Sequence, residues 1–205
     1  MAEISLQYFS SLQAARILGV NVSSIKRWTD NGQFDCTRTA GGHRKFSSKH
    51  LMQFLENGVG KTATQPLLPI DDTKDLELVA RIFQNDRVFL QEYLMTNART
   101  GEIERIQLLL SGLYSSSNQL HDIYDTIVTP VLHQIGSLWE REDFTIIEVH
   151  IATQTIQRAL HRLQAIIPIP AQKSGDALCM TIGQEEHEIA LQMVGHILEK
   201  HGFRV

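Results

Sequence analysis

Apolar residues recur at helical spacing along most of this chain, and turn-forming residues divide them into separate elements. Ser10 or Ser11 can cap a first helix whose apolar positions are Leu12, Ala15, Ile17 and Leu18, and Gly19, tolerant of positive φ, stops it. Asn21 can cap a second helix running through Ile25 and Trp28 to Asn31, ended by Gly32. Two short helices joined by a glycine-containing turn predict a helix-turn-helix, with Trp28 on the inward side. The pattern then changes: Cys36 to Phe46 forms two β-prone arms around Gly41-Gly42, which predicts a hairpin wing. A third helix from a Ser47 cap, with Leu51, Phe54 and Leu55 inward, closes a module over residues 1–57.

Asn57 to Thr73 holds Gly58, Gly60, Pro66 and Pro69 without sustained periodicity, so a linker is expected over 58–73. From Lys74 to about Ile167 the spacing is helical again. Leu76, Val79, Ile82 and Phe83, then Ile103, Ile106, Leu109 and Leu110, supply the stripes of a helical bundle over 74–170. Turns are expected at Asn97 to Gly101, at Gly112 to Asn118 and at Arg141 to Thr145, with a division or kink at Pro130. In the last segment, 171–205, Ala177 to Ile182 reads as a strand, a helix-like run ends near His201, and a second strand begins at Phe203. The expected fold class is mainly α: an N-terminal winged helix-turn-helix, a central helical bundle and a C-terminal incomplete βα unit.

With 42% hydrophobic and 20% charged residues, the composition is that of an ordinary globular chain of one to three small domains. No apolar run approaches the roughly 20 residues that span a bilayer, and Met1 to Leu6 lacks the features of a signal peptide, so a cytoplasmic location is expected. Cys36 and Cys179 lie far apart in different modules, which excludes a disulfide framework. The net charge of −4 hides an asymmetry. Residues 1–61 carry eight Lys/Arg against four acids, a net +4, and the rest of the chain is −8. A basic head on an acidic body fits nucleic-acid binding at the head, though a merely solvated surface would read the same way.

Ser23, Ser24, Lys26 and Arg27 on the second helix would face a major groove, and Arg38, His43, Arg44 and Lys45 crowd the wing. Such contacts divide into phosphate anchors, which supply salt-dependent affinity, and base contacts, which supply sequence choice. Arg27 and Arg44 are the leading contacts. In the C-terminal part, Glu185-Glu186-His187-Glu188-Ile189-Ala190 leaves a strand and opens a helix, the place where open α/β sheets bind ligands, so His187 is a candidate metal ligand. Trp139, near the end of one helix, and His150, early in the next, are a second candidate patch. Glu148 is explained as the partner in a capping box with Thr145. No nucleophile-base set or carboxylate pair stands out, and an enzyme is not expected.

Residues 8–56 resemble the MerR-type winged helix-turn-helix, in its excisionase-like branch with a Gly-Gly-His-Arg-(Arg/Lys)-Phe wing. The bundle followed by a strand-histidine-helix unit resembles the cobalamin-binding modules of MerR-like light-sensing regulators of the CarH type. Their cap pattern is a Trp followed after nine residues by Glu-His, matched here by Trp139 and His150, with Val149 in place of the Glu. Their corrinoid motif, Asp/Glu-x-His-x-x-Gly, is matched by Glu185 and His187, with Ala190 in place of the Gly.

The resemblance implies that His187 binds cobalt from the lower face, that Glu185 supports its other ring nitrogen, and that Trp139 and His150 cover the upper face with its 5′-deoxyadenosyl group. It further implies a repressor of operator DNA, assembled as dimers or tetramers by adenosylcobalamin in the dark and released by light. A five-unit cobalamin domain is not completed in the 18 residues after His187. The chain is therefore expected to be a fragment, truncated early in that Rossmann-like domain, with weak or no cobalamin binding of its own. The alternatives are a vitamin-independent regulator, a haem- or flavin-related sensor on the same scaffold, a purely structural DNA-binding dimer, and a corrinoid-dependent enzyme subunit.

Overall fold

The computed structural model describes residues 8–56, 73–116, 119–171, 174–181 and 188–205. The chain is mostly helical and forms two units, Met1–Asp86 and Arg87–Val205. The expected linker lies almost wholly within 57–72, outside the described residues.

In the first unit, strand β1 (Tyr8–Ser10) leads directly into α1 (Ser11–Ile17). Ser10 caps that helix, with its side chain and that of Gln13 bonding reciprocally to each other's backbone N–H. Gly19 turns the chain with φ of +65°, and Asn21 caps α2 (Val22–Asp30) by accepting from the Ser23 N–H at 3.0 Å. The wing follows as β2 (Thr37–Arg38) and β3 (Arg44–Ser47), and α3 (Ser48–Glu56) closes the unit behind Ser47 and His50, which exchange hydrogen bonds. At the wing tip only Gly42 needs glycine's freedom, at φ of +77°; Gly41 does not have positive φ.

The sheet order is β1-β3-β2, antiparallel throughout, with Phe9 opposite Phe46. The strand β1 carries no signal of its own in the sequence, because three residues are too few for a period. It is specified by pairing with β3, which buries Phe9 and Phe46 together. Phe34 links them to α3, with ring centroids 4.5 Å from Phe46 and 4.3 Å from Phe54, and Trp28 packs on Phe54 at 5.1 Å. Leu12, expected inward, is exposed. The buried side of α1 is formed instead by Ala14, Ala15 and Ile17, which flank the chain reversal into α2. Helix α4 (Thr73–Gln84), expected as the first bundle helix, groups with this unit; it ends at Asn85, which has φ of +54°.

The second unit is a bundle of α5 (Arg87–Thr100), α6 (Ile103–Ser115), α7 (Leu120–Ile123), α8 (Thr129–Glu140) and α9 (Ile146–Gln164). Gly112, expected to break a helix, lies buried within α6, and the turn comes only after Ser115. A π-helical turn over Tyr124–Val128 joins α7 to α8 in unbroken helical backbone, and Pro130, where a division or kink was expected, is the second residue of α8. The long α9 is central: it packs on α5, α6 and α8 and buries Ala152, Ile156, Ala159, Leu160 and Leu163.

A βαβ segment ends the unit, with β4 (Gly175–Asp176) parallel to β5 (Phe203–Arg204) across α10 (Glu188–Lys200). The strand expected over Ala177 to Ile182 is not formed by its described residues, 177–181; the paired strand is Gly175–Asp176, just before them. Its paired residues are those opposite the two-residue β5, and Ala177 adds one further bond by donating to the Arg204 carbonyl. Ile182 lies outside the described residues.

Candidate functional site

In the first unit, the exposed residues of α2 include Ser23, Lys26, Arg27 and Asp30. They lie at i, i+3, i+4 and i+7, so they form one stripe along the helix. Ile25 faces the opposite way into the core, and Ser24 and Trp28 lie on the flank. The Ser23 hydroxyl donates to the Asn21 side chain at 3.0 Å, so it both braces the helix start and stands on the stripe. On the wing, Arg38 and Arg44 are cross-strand partners, Lys45 pairs with Thr37, and His43 is exposed beside the tip. The tip is shaped by Thr39, whose N–H donates to the His43 carbonyl and whose hydroxyl accepts from the His43 N–H. Arg44 is half-buried and ion-paired with Asp30. Asp30 was not among the residues expected from the sequence; a lone acid on a basic stripe gives no sign of its partners until the wing folds back.

An exposed helix stripe and a hairpin bearing four basic residues can meet a duplex through major-groove and backbone contacts. Arg27→Ala is expected to weaken DNA binding by about tenfold, within the range of one lost arginine contact, and to lower the dependence of log K on log salt where the contact is to phosphate. A titration series at several salt concentrations checks it.

In the second unit, Thr145 caps α9 and Glu148 bonds back to it, as the sequence indicates. The Thr145 backbone N–H and then its hydroxyl hold the Glu148 carboxyl below its ordinary pKa, helped by Arg99 at 3.3 Å. Arg99 also lies over the Phe144 ring at 4.5 Å, which locks the α8–α9 connection to α5. Trp139 is 53% exposed at the end of α8, and Ile146 and Ile147 are 54% and 67% exposed at the start of α9. His150 and Ile151 are exposed one turn further on. The two predicted upper-face residues thus stand on the surface near the α8–α9 connection, beside large apolar side chains. The same exposed side of α9 continues through Gln154 and Arg158 to His161.

Arg158 and His161 enter the wall of a cavity of about 1000 Å³ between α9 and α10, which also includes Gln157, Cys179, Thr181, Glu188 and His196. Gln157 donates to Glu188 at 3.2 Å and Gln164 donates to Glu199, tying the two helices side by side. Beneath them, Tyr124 Oη and His196 Nδ1 lie 2.7 Å apart, both residues buried. Burial pushes the His196 pKa down, with His161 acting the same way and Glu199 opposing; burial pushes the Tyr124 phenol up. Nothing local in the sequence marks this pair, whose members stand 72 positions apart. Glu185 and His187 lie outside the described residues. Among the described residues no cluster of three metal-ligating side chains occurs, and no helix is long and apolar enough to cross a membrane.

Comparison with known proteins gives three findings. Residues 8–59 match a helix-turn-helix domain model, and residues 90–164, which span the bundle from α5 to the end of α9, match a B12 binding domain model. The chain is also similar to the HTH-type transcriptional repressor CarH of Myxococcus xanthus, at 24% identity over 204 residues, covering 94% of this chain and 67% of that protein. The exposed indole of Trp139 and the neighbouring isoleucines fit such a ligand, because a broad, largely apolar macrocycle would cover side chains that otherwise face water.

Proposed function

Taking as premise a chain that carries a helix-turn-helix domain and a B12 binding domain, we propose that it is a transcription repressor whose grip on operator DNA is set by cobalamin at the second unit. The observation that carries the reading is the exposed run of Ile146, Ile147, His150 and Ile151 along one side of α9, with an exposed Trp139 at the end of the preceding helix, in a chain whose other unit presents a basic helix-turn-helix stripe. Trp139 and His150 would cover one face of the corrin, and His187, supported by Glu185, would hold cobalt from the other. When bound, cobalamin supplies a light-labile cobalt–carbon bond if it carries the adenosyl group. The protein's part is to orient the ring, exclude water from that bond and convert occupancy into assembly. Homo-oligomerisation suits this arrangement because linking several DNA heads multiplies a modest individual affinity. Val149, in place of a glutamate, leaves the upper face without a carboxylate that could accept from the adenosine. A regulator rather than an enzyme is the reading favoured by the repressor similarity and the DNA-binding head.

The test is absorption spectroscopy of the purified protein titrated with adenosylcobalamin in the dark, then exposed to green light, with sedimentation and DNA retention measured in parallel. In a protein that carries this chain together with a complete cobalamin domain, bound cofactor, a spectral change on illumination, and loss of oligomer and DNA complex together are expected; the 205-residue chain alone is expected to bind weakly or not at all. His187→Ala should alter the spectrum of the bound form. Identical spectra for the two proteins would reject His187 as the lower ligand, and a Soret band without cobalt would favour the haem alternative.

A further inference from the structure

The acid on the recognition stripe has an electrostatic problem and a structural solution. Asp30 shares the exposed face of α2 with Ser23, Lys26 and Arg27, where a carboxylate would be repelled by a phosphate backbone. Across the wing, Arg38 and Arg44 stand directly opposite each other in the β2–β3 register, and like charges so placed destabilise a strand pair. Both guanidinium groups point back to Asp30: its Oδ1 accepts from Arg38 Nη2 at 3.5 Å and from Arg44 Nη2 in a shorter ion pair. Arg44 is lodged there rather than extended, with a side chain only 17% exposed and a buried Nε.

We infer that Asp30 is a positioning residue for DNA recognition: its carboxylate bridges the two wing arginines and fixes the wing against the end of α2. The inference rests on the reading of the first unit as a DNA-binding head. It changes the role expected for Arg44, from a phosphate anchor to part of a brace. The phosphate-facing charge is left to Lys26 and Arg27, and to the wing only in the pose that Asp30 sets. Sequence choice requires the helix and the wing to engage their grooves in one register, so the brace acts on specific binding, whereas unspecific attraction to phosphate does not need it.

The experiment uses duplexes recovered by the wild-type protein from a random-sequence pool, with a scrambled duplex beside them. In Asp30→Asn the dissociation constant for the selected duplex is expected to rise about tenfold, in the range for residues coupled within one ion-pair network, while that for the scrambled duplex does not rise. Backbone 15N relaxation of Thr39 to His43 in the free protein should show a more mobile wing. Arg44→Gln should reproduce both effects, and the double variant should be no worse than either single one. If Asp30 were only a surface acid, Asp30→Asn would tighten both duplexes alike and leave the wing relaxation unchanged, which would overturn the inference. A mobilised wing with unchanged specific affinity would overturn it too. Should the wild-type protein retain no duplex, the DNA reading fails separately, and the brace is then decided by the relaxation data, where an unchanged wing rejects it.

Discussion

Ile156→Ala is expected to destabilise the second unit by about 2–5 kcal/mol, the cost of a large-to-small change at a buried site that only partly collapses. Ile156 is fully buried on α9, the helix that packs on α5, α6 and α8. Against a total stability of roughly 5–15 kcal/mol for a domain, that is a large fraction. It also removes support from the helix that presents His150 and lines the cavity beside α10. Equilibrium urea unfolding measures it, with Ile147→Ala as the comparison on the same helix. Ile147 is largely exposed, so its truncation should change stability by no more than about 0.5 kcal/mol. Equal losses in the two variants would show that α9 is not packed as described.

The second large effect concerns Tyr124 and His196. Tyr124→Phe removes the only hydroxyl at the buried Nδ1 of His196 among the described residues, and leaving such a group unpaired costs about 1–3 kcal/mol. The pair also predicts a pH dependence. Because burial holds the folded-state pKa of His196 below 6.5, the unfolded chain binds more protons than the folded one once the pH falls below that value. Stability from this group is therefore present above about pH 6.5 and declines as the pH falls through the lower folded-state value. Tyr124 acts at the other limit: with its pKa raised above 10.0, its contribution is present below pH 10 and lost as the pH rises beyond it. Thermal unfolding of the wild type and of His196→Gln at pH 7.5 and 5.5 separates this group from the other histidines. A His196→Gln protein with the same acid-side loss as the wild type would remove His196 from the account. The π-helical turn that carries Tyr124 offers a reason for this hydrogen bond: the extra residue in the turn changes the helical register just where the phenol must reach α10.

Much of the first unit could be read before folding because its signals are local. Ser10 and Asn21 stand directly before the helices they cap, and Gly19 and Gly42 meet turns that need positive φ. The basic stripe of α2 follows from helical periodicity alone. Where sequence reasoning failed, the deciding interaction was distant. Leu12 looked apolar enough to be core, but α1 offers the interior its small Ala14 and Ala15 face. Gly112 looked like a stop, but it is buried within α6, where the packing of the surrounding bundle outweighs its low helix propensity. The candidate cofactor site divides in the same way: Trp139 and His150 were singled out by their match to the cap pattern of a resembling family, while the exposure of Ile146, Ile147 and Ile151 along α9 is a property of the folded bundle.

By itself the sequence determined where several helices are capped, which face of most of them is apolar, and that a basic DNA-reading head precedes a helical, cofactor-type module. These properties depend on neighbours within about one turn, which the chain order supplies directly. Only the tertiary structure decided that Asp30 is claimed by two wing arginines, that Phe9 pairs with Phe46, and that Tyr124 meets His196 across 72 residues. Contacts of that kind depend on how separate elements are brought together, and side chains identical in sequence become an exposed acid or a brace, an ordinary histidine or a buried neutral one, according to what folds against them.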